Sequence, residues 1–554
     1  MDKPWQKHYT STVPATLQYP HMPIDGMLRN TAREYPRNTA LIFGGARIEY
    51  RELDHLVDRF ARGLFDLGVR KGDRVALLMP NCPQMVIAFY ALFRLGAIAV
   101  PINPLYQERE IAYQIDNSGA ETLVALDILY PRISAISDQT RLKTCVMTSI
   151  KDFLSPLKKM LYPLFQMKES HKVTKRGDLH HVEFKNLLKS GSSDYPPPDI
   201  LPGDIAILQY SGGTTGISKG AELTHGNIVS NTYQTTSWYY IIKRGEEIIL
   251  TVLPLFHTYG IAVCMNLSIA TASCMVLVPR FASKDLLKAI QEFRITFFPG
   301  IPGIYAALNN YKDIGRWDIS SVNYCVSGSA PLPLAVSERF EKLTGGVILE
   351  GYGLTEASPV THSNPVHLER KIGSIGLPLA DTDCKIVDAD DEQSEVPQGE
   401  PGELCIKGPQ VMKGYWNMPS ETAHALRDGW LYTGDVAKID DDGYFYIIDR
   451  KKDMIISEGF NVYPNEIDEL VLHHPKVAEA AAVGVPDRLR GERVVLYVVP
   501  EEGQTVHQDE IIAYCRERLA KYKVPRKVEF IKELPKTPVG KVLRRVLREE
   551  ALKE

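Results

Sequence analysis

The chain has 554 residues, 44% hydrophobic and 24% charged, which excludes a mainly disordered chain, a fibrous repeat and a disulfide miniprotein. Lys+Arg number 64 against 68 Asp+Glu, so the net charge is −4 and the global basic field of a dedicated nucleic-acid binder is absent. At roughly 150 residues per domain the length corresponds to three or four domains, or to fewer large ones.

The first third alternates helix and strand patterns. Leu53, Leu56, Val57, Phe60, Leu64 and Leu67 recur at helical spacing, with Gly68 as a stop. A strand over 75–79, a helix over 84–95, a strand over 97–100, a helix over 107–118 and a strand over 122–125 follow. That alternation predicts largely parallel sheet covered by helices. The segment 151–176 breaks the rhythm, interleaving Lys151, Lys158, Lys159, Lys168, Lys172, Lys175 and Arg176 with Phe153, Leu157, Met160, Leu161, Leu164 and Phe165. A basic amphipathic helix for a membrane surface fits this composition. An insertion packed on the main sheet fits better, because Pro156 and Pro163 interrupt the helical pattern.

The stretch 253–279 has no Asp, Glu, Lys or Arg, long enough to cross a bilayer. His257, Asn266 and several hydroxyl side chains favour a buried helix and then a buried strand over 274–278. From Ile372 the chain becomes β-rich, with turn signals at Pro401-Gly402 and a hairpin signal at Asp442-Gly443. A small unit begins near Lys452, with a helix over 466–473, strands near Ala480 and over 494–499, a helix over 509–519 and a basic last helix. Eight cysteines form no C-x-x-C pair and fit a reducing cytosol, and Met1-Asp2-Lys3-Pro4 opens no apolar leader.

The strongest local signal is Tyr210-Ser211-Gly212-Gly213-Thr214-Thr215-Gly216-Ile217-Ser218-Lys219-Gly220, behind an apolar strand over 205–208. Its glycines let backbone approach an anion, its hydroxyls donate, and Lys219 supplies a point charge for phosphate. It is not a Walker A loop, since Lys219 lies between Ser218 and Gly220. In Glu350-Gly351-Tyr352-Gly353-Leu354-Thr355-Glu356, Tyr352 suits a base, Thr355 a phosphate and Glu356 a hard cation such as Mg²⁺. Ser327-Gly328-Ser329-Ala330 is a small-residue turn after a strand over 324–326. Asp435, after Tyr432-Thr433-Gly434, suits ribose hydroxyls, and Arg450 a ribose or phosphate oxygen. A calcium loop over 438–449 is rejected, because Lys438 would be its first ligand. Lys541 stands before the last helix and, taken alone, reads as a solvated charge.

In this order the motifs resemble the adenylate-forming superfamily of acyl-CoA synthetases, aryl ligases, luciferases and peptide-synthetase adenylation domains, over roughly 25–550. Gly351 to Glu356, Lys407-Gly408-Pro409-Gln410-Val411-Met412, Asp449-Arg450-Lys451-Lys452-Asp453-Met454-Ile455, Gly459-Phe460-Asn461-Val462-Tyr463-Pro464 and Leu534-Pro535-Lys536 look most like bacterial long-chain fatty-acyl-CoA synthetases. The resemblance implies an α/β chain: a large N-terminal domain, 1–451, of helix-covered, mainly parallel sheets plus a β-rich subdomain, and a small, mobile α+β domain, 452–554. It implies ATP-dependent activation of a fatty acid through an acyl-adenylate, then transfer to CoA, with Mg²⁺ as cofactor.

By resemblance, Lys219 meets the outer phosphates, Glu356 and Ser211 hold Mg²⁺, and Lys541 stands between carboxylate and α-phosphate. The loop residues Ser211, Gly212, Gly213, Thr214, Thr215 and Gly216 join Thr355 around the phosphates. Gly328, Ser329, Ala330, Glu350, Gly351, Tyr352 and Gly353 hold the adenosine, with Asp435 and Arg450 on the ribose. His257, Tyr259, Ile261, Pro299 and Gly300 line the acyl side, Gly459 and Phe460 the CoA side, and Lys452 is the hinge. Two departures stand out: Ser218 replaces a common Pro before the Lys, and Ile261 occupies the place of a bulky aromatic gate, for which Tyr259 is the nearby substitute.

An amino-acid adenylation domain fits less well, because 253–279 offers no carboxylate for a substrate ammonium and no carrier domain follows. A medium-chain or aryl acid ligase is the nearer alternative, and a non-catalytic acyl-binding scaffold at the membrane the more distant one. The expected location is cytoplasmic, with room for peripheral contact on the inner membrane face and for a homodimer.

Overall fold

The computed structural model describes residues 3–156, 158–160, 179–189, 196, 198–210, 218–366, 368–389, 391–457, 460–487, 491–538 and 540–553. Among them, two large sheets form the body of the chain. The seven-stranded sheet runs His180–Glu183, Thr144–Thr148, Thr122–Leu126, Arg74–Leu78, Ile98–Pro101, Ile205–Tyr210 and Gly220–Thr224, parallel except for the last pair. The nine-stranded sheet has a parallel centre of Val347–Gly353, Tyr324–Ser327, Phe297–Gly300, Ile248–Thr251, Cys274–Leu277 and Thr39–Phe43. Antiparallel strands close both of its edges.

The expected alternation of helix and strand is present. The helix Pro83–Leu95 is buried on every side, as its continuous apolar sequence requires, and ends at Gly96 in the left-handed conformation. Arg94, on this helix, is buried and paired with Asp25, Asp54 and Asp58, which ties the helices Asp25–Glu34 and Tyr50–Asp66 to it. The uncharged stretch is buried, but not as one regular helix. A turn at Thr258–Gly260 runs into the π-helix Ile261–Asn266, then Leu267–Ala270 and the strand Cys274–Leu277. No helix among the described residues is long and apolar enough to cross a membrane.

Of the basic segment, Ile150–Phe153 is a 3₁₀ turn that packs on the body: Phe153 meets Phe184 edge-on, and Leu154 fills the space beside Gly44. Residues 161–178 lie outside the described residues.

From Asp383 the chain forms a five-stranded antiparallel sheet that includes the hairpin Trp430–Ile439 with Phe445–Arg450, turning at Gly443 (φ 89°). One continuous core runs from Trp5 to Phe445. The residues after Ile455 bury their own two cores, one on each face of the long hairpin Val477–Asp487 with Gly491–Pro500. The molecule is therefore a large domain of mainly parallel sheets with a β-rich part, followed by a small α+β domain, as the sequence implied.

Candidate functional site

Parallel strands deliver their carboxyl ends to one place. Gly300, Ser327 and Glu350 are register partners across three adjacent strands, so the segments that follow them emerge together. After Ser327 the turn Gly328-Ser329-Ala330 follows, with Ser329 in the left-handed region (φ 72°) that non-glycine residues adopt rarely. A side chain at Gly328 would come within 3.2 Å of the Tyr259 ring and 3.3 Å of the Gly351 carbonyl. Tyr259 cannot yield, since its hydroxyl donates to the carbonyls of Val326 (3.0 Å) and Gly300 (3.2 Å). It forms a fixed wall. His257, Tyr259, Gly328, Ser329, Tyr352 and Thr355 share one cleft here. Burial pushes the His257 imidazole down to about 4, so it is neutral at physiological pH. A larger cavity near Arg47, Glu247 and Cys274 lies at the opposite, amino ends of the strands.

The next wall is built by Tyr352. Its hydroxyl donates to Asp435 Oδ2 at 2.5 Å, and Arg450 Nε lies 3.3 Å from Asp435 Oδ1. Asp435 and Arg450 face each other across the hairpin, which explains how two residues 15 apart in sequence meet. The Asp435 backbone amide is held by Thr433 Oγ1 at 3.1 Å. Next to it, Lys451 pairs with Glu392 and with Glu403, which in turn accepts the Gly434 amide. Glu350 accepts the Leu332 amide at 3.2 Å. Burial pushes its carboxyl up to about 7; the Leu332 N–H opposes that rise and Glu469 of the small domain adds to it. Burial, helped by Arg450, pulls the Lys452 ammonium down to about 8.

A further group of candidate residues is framed by the hairpin Ile205–Tyr210 with Gly220–Thr224. Tyr210 and Gly220 pair directly, so the two ends of the glycine-rich segment are held side by side. Ser211, Gly212, Gly213, Thr214, Thr215 and Gly216 lie outside the described residues. At the loop's returning base, Ser218 O accepts from the Tyr113 hydroxyl, and Lys219 forms an ion pair with Glu421. Lys219 also lies over the Tyr415 ring, 5.1 Å from its centroid, while the Tyr415 hydroxyl donates to Glu356 Oε1 at 2.8 Å. A bridge between Ala221 and Tyr415 brings this distant segment in.

The small domain meets the large one beside Ile301. A side chain at Gly540 would come within 3.0 Å of Ile301 Cδ1, so the loop carrying Lys541 abuts the residues just after Pro299-Gly300. Ile261 is buried within the π-helix. Gly459 lies outside the described residues; Phe460 is exposed and stacked on Tyr522 with centroids 4.5 Å apart. Tyr352 lines the cleft and is bonded to Asp435, which pairs with Arg450, while Glu356, next to the cleft residue Thr355, is joined to Lys219 through Tyr415. Sequence reasoning missed Tyr415, Glu421 and Glu403, and the only local signal was the Gly414-Tyr415-Trp416 run before Pro419.

A Mg²⁺ ion fits the donor chemistry. Glu356 presents hard carboxylate oxygens, of which only one receives the Tyr415 hydroxyl. Among the described residues no cluster of three His, Cys, Asp or Glu side chains could cage a metal by itself. That pattern suits an ion shared between one carboxylate and substrate phosphates.

The AMP-binding enzyme family matches residues 28–416, and the AMP-binding enzyme C-terminal domain matches 466–541. A long-chain-fatty-acid–CoA ligase of Bacillus subtilis is 44% identical over 99% of this chain and 98% of its own length. One from Escherichia coli O6:H1 is 40% identical over 100% and 99%. ATP-bound MatB from Rhodopseudomonas palustris superposes with a TM-score of 0.83 at 30% identity, covering 96% of this chain and 99% of its own; apo MatB, also 30% identical and with the same coverage, gives 0.73. With both family regions matched and relatives this close along its whole length, the chain belongs to the AMP-binding enzyme family.

Proposed function

We propose that the protein activates long-chain fatty acids to acyl-CoA, using ATP and CoA as co-substrates and passing through an acyl-adenylate. The observation that carries this reading is the grouping of Lys219, Glu356 and the Tyr352–Asp435–Arg450 set about one cleft, to which the uncharged stretch 253–279 contributes His257, Thr258 and Tyr259. Each buried methylene of a chain is worth about 0.8 kcal/mol, so a long chain offers ample binding energy.

In the first step a carboxylate oxygen attacks the α-phosphorus. The new O–P bond forms as the bond to the bridging oxygen breaks, and pyrophosphate leaves with that electron pair. Two anions approach, so cations are required. Lys219 meets the outer phosphates and Lys541 the carboxylate and α-phosphate. Glu356 and Ser211 are the residues that would hold Mg²⁺, which when bound neutralises phosphate charge. Tyr352 and the turn at Gly328-Ser329-Ala330 position adenine, Asp435 and Arg450 the ribose, and Thr355 the α-phosphate. Stabilisation by one such preorganised group is worth about 3–4 kcal/mol. In the second step the CoA thiolate attacks the acyl carbonyl; the S–C bond forms, the mixed-anhydride C–O bond breaks, and AMP leaves.

The domains divide at 451/452, with Lys452 as the hinge. The small domain presents Lys541 first; after rotation it presents Gly459 and Phe460 to CoA. The greater likeness to ATP-bound than to apo MatB and the Gly540–Ile301 approach support the first arrangement. A peripheral contact with an anionic membrane through 151–176 would suit a substrate drawn from lipid. Flotation of wild type against a charge-neutralised 151–176 variant tests it, and equal binding removes it. Light scattering in solution decides between monomer and homodimer.

The test of the main reading is acid-dependent ATP–pyrophosphate exchange with acetate, benzoate, octanoate, palmitate and oleate, then CoA addition with AMP detection. Exchange should peak with the long chains. A peak with benzoate or acetate would replace the substrate class, and no exchange with any acid would overturn the adenylation chemistry.

A further inference from the structure

Glu421 has no task in the mechanism above, yet its carboxylate is the ion-pair partner of Lys219. It sits in the short helix Pro419–Ala425, and Thr422 Oγ1 beside it accepts the Tyr415 amide at 2.8 Å. Tyr415 carries the ring under the Lys219 ammonium and the hydroxyl on Glu356. One short segment, 415–422, therefore touches both the cation assigned to the outer phosphates and the carboxylate assigned to the metal. Lys219 holds the Glu421 carboxyl below its ordinary range, so it is ionised at neutral pH. An anionic oxygen in contact with this ammonium takes up one of its three donors and part of its charge.

We propose that Glu421 is an internal counter-ion that competes with the outer phosphates of ATP, and with pyrophosphate, for Lys219. It thereby sets the affinity of the site for polyphosphates and leaves AMP unaffected. The inference rests on the reading that Lys219 meets the outer phosphates. The pair is half open to solvent, with side-chain exposures of 23% for Lys219 and 45% for Glu421. Such pairs are weak, so a ligand of higher charge can displace the carboxylate. After the α-phosphorus–oxygen bond breaks, the returning carboxylate reclaims Lys219 and helps pyrophosphate leave, which makes the first step harder to reverse. AMP has no outer phosphates and does not meet the competition.

The experiment measures equilibrium binding of ATP, pyrophosphate and AMP to the full-length protein as wild type, Glu421→Gln, Glu421→Ala, Lys219→Ala and Lys219→Ala/Glu421→Gln. Both Glu421 variants should bind ATP and pyrophosphate about three- to fivefold more tightly, the range released by removing a weak exposed pair, with AMP unchanged. In the Lys219→Ala background Glu421→Gln should have no further effect. Unchanged or weaker ATP and pyrophosphate binding in both Glu421 variants, or an equal shift for AMP, overturns the proposal. If Lys219→Ala itself leaves ATP and pyrophosphate binding intact, the assignment of Lys219 to the outer phosphates fails, and the counter-ion role falls with it. Full ATP loss in Lys219→Ala with no gain in Glu421→Gln would sink the counter-ion role alone.

Discussion

The backbone amide of Asn465 donates to Asp449 Oδ2 at 2.7 Å, joining the last strand of the large domain's hairpin to the first turn of the small domain's helix Pro464–Leu472. The contact spans Lys452, and it is reinforced on both sides. Asn465 Nδ2 donates to Ile448 O at 3.1 Å. Arg544, three residues after Lys541, bonds to Asn465 Oδ1 and pairs with Asp468 at 2.8 Å. Asp449–Asn465 and Ile448–Asn465 are the bonds that cross from the hairpin, while Arg544 braces Asn465 from within the small domain; the proposed rotation about Lys452 breaks the crossing bonds, so they act as a latch on the arrangement proposed to present Lys541.

Asp449→Ala removes the acceptor and should release the latch. A hydrogen bond to a charged group is worth about 1.5–3 kcal/mol. Pyrophosphate exchange should therefore slow by about tenfold or more, while thioester formation from supplied acyl-adenylate stays within about twofold. Equal losses in both half-reactions would mean that the cluster only supports folding.

Tyr352→Phe tests the wall on the ribose side. It keeps the ring and deletes the donor to Asp435, leaving Arg450 as that carboxylate's charged neighbour. The loss corresponds to about 1 kcal/mol, or roughly fivefold in KM for ATP. kcat should change less, because ring placement against the edge of His362 is retained. A fall confined to kcat would show that the hydroxyl serves the reaction rather than nucleotide binding.

Glu350 gives a pH signature. Its value in the folded protein, about 7, lies above the ordinary 4.5, so folding favours the neutral form. The associated stability is complete below pH 4.5 and is lost as pH rises to about 7. Glu350→Gln keeps an oxygen for the Leu332 amide and has no proton to lose. The unfolding free energy of this variant minus that of wild type should therefore rise from pH 5 to pH 7 and then level off, by at most about 3 kcal/mol. A difference independent of pH would show that the carboxyl does not titrate in that window.

Much of this was legible because local sequence controls it. Glycine and hydroxyl density marked 210–220, and the helix and strand periods in the first third placed the sheet. Less was legible where distant segments supply partners. The antiparallel strand Val360–Ser363 pairs with Val347–Gly353 only because the chain doubles back after Gly353, whose missing Cβ leaves room for the Pro359 carbonyl. Tyr415 and Glu421 reach Glu356 and Lys219 through the long-range bridge to Ala221, and no pattern within either segment announces it. The π-helix at Ile261–Asn266 was also hidden, since its apolar run reads as an ordinary buried helix.

The turn that carries Lys541 provides the last test. Thr537 N donates to Lys541 O at 2.8 Å, Lys541 N donates to Thr537 Oγ1 at 3.1 Å, and Gly540 N donates to Thr537 O at 2.8 Å. Gly540 completes the turn with φ 78°, a conformation that glycine adopts without strain. Thr537 thus fixes the backbone of the lysine from both sides. In the proposed mechanism Lys541→Ala removes the charge that meets the α-phosphate, so pyrophosphate exchange should slow by about a hundredfold or more. Thr537→Val keeps the charge and the branched shape but deletes one hydrogen bond, so exchange should fall only about fivefold. Both variants should form thioester from supplied acyl-adenylate at close to the wild-type rate, because the small domain then presents a different loop. If Thr537→Val matched Lys541→Ala, the turn would be collapsing rather than loosening, and a thermal melt of the variant would reveal that. If Lys541→Ala slowed the thioester step as strongly as adenylation, the lysine would serve both half-reactions and the rotation about Lys452 would lose its main purpose.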